Sequence, residues 1–278
     1  MPRWCMYQVP VDTGFFTPIG LQPTAVFRLA FNSAGQWLSR NAISHRRLVT
    51  EHGTGFVVWS AQLVSDQSVN FLDSDCLEIR VTGRVRGGGT QFECEGQLGL
   101  STRLHACCVP LRLGGDPALS GAPARLSPEV MAAFLPDEIV TKPSRSMVPA
   151  LFASVAREGL LLARSRMPFT IHRHQCEVAD QWFWPEAASL AGGGREELVR
   201  AEADRVPLLR LGLSAPVRRL DLLFNSPFFL FDAGTVVSTA NEWQGRLVFM
   251  HELIGDEGEP PRALAIEQFA VGEQTAWD

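Results

Sequence analysis

The residues of this chain best placed to do chemistry are a few carboxylates in turn-forming contexts. Asp12 stands in Asp12-Thr13-Gly14, and Glu177 and Asp180 stand in Cys176-Glu177-Val178-Ala179-Asp180. A carboxylate so placed can take a proton from water or attack a carbon itself. An Asp followed by Thr-Gly serves equally well to close an Asx-type turn. Glu196 and Glu197 lie further on in a helical stretch, where a solvated helix face competes with a second acidic role. Other chemistries fail on spacing. His45, His105, His172, His174 and His251 are scattered; His172 and His174 alternate along one strand-like run but lack a third metal ligand. The six cysteines form no CxxC pair, and Cys107-Cys108 sits inside an apolar run that reads as packing. A G-x-S-x-G elbow is absent, which excludes that serine arrangement.

The chain has 278 residues, 46% of them hydrophobic and 20% charged, with a formal net charge of −5. Such a balance suits a globular protein with a proper core. It supplies no positive field for nucleic acid, whose binding depends on neutralising phosphates. Lys142 is the only lysine, so the cations are nearly all arginine. The pairs Arg46-Arg47 and Arg218-Arg219 could fork onto phosphates; an exposed face is the competing reading. Met1-Pro2-Arg3-Trp4 begins no apolar signal core, and no run of about 18 apolar residues occurs. The expectation is a cytoplasmic protein without a membrane anchor, holding no metal and no cofactor of its own.

These residues need elements to position them. Alternation from Val9 to Phe16 predicts a short strand, and apolar residues from Leu21 to Arg40 follow helical spacing, including Ala25, Leu29, Trp37 and Leu38. Four strand-like runs follow at hairpin spacing: Phe56 to Val64, Leu77 to Arg84, Gln91 to Leu98 and Ala106 to Leu113. Gly87-Gly88-Gly89 marks a hairpin turn. Residues 114 to 150 read as a linker running over the surface. A second unit then repeats the order. It has a strand at Phe169 to Cys176 and a helix from Trp184 to Ala203 interrupted at Gly192-Gly193-Gly194. Strands follow at Val217 to Phe224, Thr235 to Ala240, Arg246 to Leu253 and Ala263 to Phe269. Phe71 to Ile79 can be laid over Phe228 to Val236, each placing an Asp just before a strand. The economical reading is an internal duplication of α+β class, with units at 1–135 and 136–278.

The segments Val69-Asn70-Phe71 through Asp75, Ile79 to Val85, Gln91 to Leu98 and Arg125-Leu126-Ser127-Pro128-Glu129-Val130 resemble the hotdog superfamily, in particular its 4-hydroxybenzoyl-CoA-thioesterase-like branch. The resemblance implies two tandem hotdog units, each an antiparallel sheet wrapped round a long helix, fused into a pseudo-dimer that is monomeric or pairs again. It implies a thioester substrate carried by coenzyme A or an acyl carrier protein. Helix N-terminal amides would hold the oxyanion, and Asp180, Asp12, Glu177 or Glu196 would activate water. Gly20 and Gln22 at one helix start, with Trp184 and Trp37 as tunnel wall and Arg46 and Arg218 as phosphate contacts, complete the implied site. The sequence departs from the family in lacking both the "G-H-x-N" phrase and the "H-F-P-x-x-P-x-x-P-G" phrase of dehydratases. A biosynthetic acyltransferase, decarboxylase or dehydratase of a polyketide-like pathway, and a non-catalytic acyl-binding protein, are the alternative readings.

Overall fold

A computed structural model describes residues 3–114, 121–256 and 258–270. The first unit opens with β1 (Trp4–Pro10), then α1 (Pro23–Asn41) and α2 (His45–His52). Four strands follow: β2 (Thr54–Ser65), β3 (Cys76–Arg86), β4 (Gln91–Leu98) and β5 (Thr102–Leu113). After a connection containing α3 (Val148–Glu158), the second unit runs β6 (Leu160–Thr170), α4 (Glu186–Glu202), β7 (Arg219–Phe224), β8 (Ala233–Trp243), β9 (Arg246–Ile254) and β10 (Ala263–Ala270).

All ten strands join one sheet in the order β1-β3-β4-β5-β2-β7-β10-β9-β8-β6, with short strands at Gly121–Pro123 and Ile139–Val140 attached to β5 and β3. The two halves of that order mirror each other about the antiparallel β2–β7 pair, in which Gln62 faces Asp221. The repeat expected from sequence is therefore real in topology. Within each half, β2 or β7 pairs with the last strand of its unit and not with the next one in sequence, so the four later strands are not a plain run of hairpins.

The echo around the two aspartates has a structural cause. Val11 N–H donates to the Asp75 carbonyl at 3.0 Å, and Ile171 N–H donates to the Asp232 carbonyl at 2.9 Å. β3 and β8 each start one residue later. With Asp75 laid on Asp232, the strand registers carry Val81 onto Ser238, Gly96 onto His251 and Ala106 onto Glu267.

Each sheet half wraps one long helix. α1 packs Val26, Phe27, Leu29 and Trp37 against Ile79, Val81, Val85 and Phe92. Gly83 is required there, because a Cβ at that position would lie 2.6 Å from the Trp37 ring. α4 is unbroken through Gly192-Gly193-Gly194. A Cβ on Gly194 would meet Ser238 Oγ at 2.6 Å, so this glycine lets the helix lie close on the sheet and accepts the helix-propensity cost of about 1 kcal/mol.

Three further expectations are corrected. The first strand is Trp4–Pro10, and Thr13–Phe15 is a 3-10 turn. The second unit's first strand spans Leu160–Thr170, so His172 and His174 lie beyond it, with Arg173–Gln175 forming a 3-10 turn and the two rings stacked 6.0 Å apart. The connection is not merely superficial. Leu126, Val130 and Phe134 are buried in the first core, and α3 lays Val148, Leu151, Phe152 and Val155 on the outer face of the second half-sheet against Trp243, Val248, Met250 and Ile266. The corresponding outer face of the first half stays open as a groove of about 1120 Å³ lined by Gln62, Arg80, Thr82, Gln97 and Arg103.

Candidate active site where the two helix starts cross

The beginnings of α1 and α4 lie across one another. Thr24 Oγ1 and Ser189 Oγ are 2.8 Å apart, and Arg28 pairs with Glu186. The Phe27 and Trp184 rings are 5.2 Å apart, while Phe31 meets Phe183 edge-on at 5.6 Å. Side chains from each unit thus close the other's helix.

The segment leading into α4 is a tight, self-bonded loop. Glu177 N–H donates to the Gln181 carbonyl and Asp180 N–H to the Glu177 carbonyl, at 2.8 and 3.1 Å. Asp180 adopts φ +53°, in the left-handed region, which Asp tolerates better than most residues. Its carboxylate is turned outward onto Arg173 at 2.7 Å. Glu177 differs. Its side chain is half-buried, and burial pushes its carboxyl above the ordinary range. A carboxylate so raised is a stronger base toward water.

The helix starts also differ. In α4 the first amides are engaged: Glu186, Ala187 and Ala188 donate to the carbonyls of Phe183, Trp184 and Pro185. In α1, Pro23 has no N–H, and the first helical bond runs from Val26 to Gln22 at 3.1 Å. Among the described residues the amides of Thr24 and Ala25 have no acceptor. The available helix-terminal donors therefore belong to α1.

Beneath this crossing, α1 and strands β2, β4 and β5 enclose an apolar cavity of about 30 Å³. Its walls include Phe27, Phe31, Val58 and Leu104, its floor Gly96 and Ala106, and Trp184 reaches in from the other unit. Burial raises the Cys94 and Cys108 thiols at this wall, which makes them packing groups rather than nucleophiles. Cys107 is likewise buried, its thiol pushed up to about 12.

The equivalent space in the second unit is filled. Ser238 Oγ lies 2.8 Å from His251 Nδ1, His251 Nε2 lies 3.3 Å from Glu267 Oε2, and Arg195 Nη1 donates to Glu267 Oε1 at 2.5 Å. All four are buried. Burial alone would raise the Glu267 carboxyl, but the Arg195 charge and the bonds from His251 and Arg195 outweigh it and hold the carboxyl below its ordinary range. By strand register this network occupies the positions of Val81, Gly96 and Ala106. Sequence reading missed it because its members are scattered over one helix and three strands, with no shared spacing; only the register brings them together.

Other expected site residues fall elsewhere. Asp12 accepts from Gly14 N–H at 2.7 Å and caps the 3-10 turn. Gly20, at φ +131°, is buried beside the Val69 carbonyl. Gln22 bonds the Phe16 and Gly14 carbonyls and pins its own loop. Trp37 is no tunnel wall: it is fully buried, donates Nε1–H to the Arg3 carbonyl at 2.8 Å and packs at a tilt against Phe92 and Phe134, each 6.0 Å away. Glu196 is exposed on α4, 3.8 Å from Arg195, and Glu197 pairs with Arg200. Arg46 is exposed on α2, beyond the far end of α1 and about 28 Å of helix from its start. Arg218 buries its Nη1 without a partner where its backbone joins Ser65 and Gln268. No group of three or more His, Cys, Asp or Glu among the described residues could hold a metal ion.

No family model and no curated protein matches the sequence. Solved structures do match. A protein provisionally named oleoyl thioesterase from Lactobacillus plantarum is 13% identical, with 97% of each chain covered and a TM-score of 0.72. The 12:0-ACP thioesterase of Umbellularia californica is 11% identical over 95% of this chain and 93% of its own, at 0.67. An acyl-ACP thioesterase from Bacteroides thetaiotaomicron is 11% identical over 95% and 96%, at 0.63. The chain is a double hotdog. In this double hotdog the two helix starts cross, one unit bears the cavity and a buried polar network fills the equivalent space of the other. No helix among the described residues is long and apolar enough to cross a membrane.

Proposed function

We propose that this double hotdog hydrolyses an acyl thioester carried by an acyl carrier protein or coenzyme A. The observation that carries this reading is the apolar cavity of the first unit, which Trp184 of the second helps to line; the loop that leads to Trp184 also bears the half-buried Glu177. The names of the three full-length structural neighbours point the same way.

In this reading the acyl chain enters the first unit. The cavity has about the volume of one water molecule, so entry proceeds through rotamer changes in its walls, as is common on binding. Glu177 takes a proton from water, and the hydroxide adds to the thioester carbonyl. The free amides of Thr24 and Ala25 are the donors available for the oxyanion. Collapse breaks the C–S bond, and protonated Glu177 returns the proton to the leaving thiolate. The second unit holds no chain, because Arg195, Glu267, His251 and Ser238 fill its counterpart space.

The test is thiol release from acyl-coenzyme A and acyl-carrier-protein substrates of graded length, with the products identified by mass spectrometry. A free acid with one equivalent of thiol is expected. An altered or transferred acyl group without free acid would replace hydrolysis with another thioester chemistry.

A further inference from the structure

Trp184 carries a polar atom that the protein leaves without a partner. Its side chain is more than nine-tenths buried, and its Nε1–H, a donor only, has no acceptor. Its neighbours are the rings of Phe27, Phe31 and Phe224, none of which accepts a conventional hydrogen bond. Buried indole nitrogens ordinarily find a partner. This one belongs to a residue lining the cavity, and the side chains around it are otherwise apolar apart from His105, already bonded to Glu93 at 2.7 Å. Water would be poorly held here, since a buried water needs two to four polar partners. An acceptor delivered on a ligand needs only this one.

Building on the hydrolase reading above, we propose that the acyl group carries an oxygen along its chain that accepts from Trp184 Nε1–H, making the substrate a hydroxy- or oxo-acyl thioester. An unsubstituted chain would surround the N–H with methylenes and leave it desolvated, which sets the two substrate classes apart by about tenfold or more. In the second unit Trp182 Nε1, Ser165 Oγ and Arg195 Nε are also buried without a partner, but none of these residues lines the cavity.

The test is kcat/KM for thiol release from chains of one length, unsubstituted or bearing a hydroxyl or keto oxygen at successive carbons. The native protein should prefer one oxygenated position by about tenfold or more. In Trp184→Phe, which keeps a ring but loses the donor, the ratio of oxygenated to plain substrate should fall to about one. Equal or better use of the plain chain by the native protein overturns the inference, and that arm needs no variant. So does a uniform loss in Trp184→Phe with the ratio retained, which would place the indole at the thioester carbonyl or make it wall only. Thiol release without preference leaves the hydrolase reading standing; no release from any member sinks both.

Discussion

The two units share one topology and differ at their centres. Under α1 the sheet presents Val81, Gly96 and Ala106 and leaves a cavity; under α4 it presents Ser238, His251 and Glu267, tied to Arg195. Outside, the order inverts: the first half-sheet is bare, while α3 covers the second. A duplicated fold can thus divide its labour. One copy keeps an open space, and the other fills the equivalent space with a bonded core and lends a tryptophan to its twin's cavity.

That division can be broken most severely at Glu177. Glu177→Gln should lower kcat by about 10²- to 10⁴-fold with the fold intact by circular dichroism. Because burial raises its carboxyl, the native rate should fall with decreasing pH through a value above that of a free glutamate. A pH-independent rate would remove Glu177 from the mechanism. In the filled unit, Glu267→Ala leaves the buried Arg195 with only the exposed Glu196, 3.8 Å away, as a counter-charge and should cost about 3 to 5 kcal/mol in urea denaturation. A cost below about 1 kcal/mol would show that the network is not needed to fill the core.

Filling the cavity should sharpen the contrast. Ala106→Leu narrows the first unit and should reduce kcat/KM for long chains by about tenfold or more while sparing short ones, with overpacking of about 1 to 3 kcal/mol. Acid should act on both units, through Glu267 in the second and more measurably through Glu93 and Glu138 in the first and its connection. Burial would raise the Glu93 and Glu138 carboxyls, but the bonds Glu93 receives from His105 and Arg86, and Glu138 from Arg3 and the Leu135 amide, bring both to about 2 from 4.5. Folded values below unfolded ones mean that this stability is present above pH 4.5 and is lost as pH falls from there toward 2. Glu93→Gln and Glu138→Gln should each flatten that fall in acid titrations. The smallest effect is expected from Asp12→Asn. Its side-chain oxygen can still accept from Gly14, so turnover should change by less than about twofold.

Much of the fold was legible because local pattern and tertiary role agree. The helical spacing of α1 is the face it buries, Gly87-Gly88-Gly89 is the β3–β4 hairpin, and the Asp75 and Asp232 echo marks equivalent strand starts. Legibility failed where they part. β6 is an edge strand carrying Arg164, Arg166 and Pro168, so it lacks the apolar run of an inner strand, and the alternation of His172 and His174 beyond it belongs to a turn. Of the site, the acidic loop could be found from its place before a helix. The cavity could not, because it depends on Gly96 and Ala106 standing where the twin has His251 and Glu267.

The β2–β7 seam has a consequence in time. β2 is complete at Ser65, but its partner begins only at Arg219. At ribosomal rates that interval lasts on the order of ten to thirty seconds. Throughout it, one side of β2, with Leu63 and Val64, is an unpaired edge of the kind that invites pairing with other chains. The seam that later makes the sheet continuous is thus the place where a nascent chain most needs shielding.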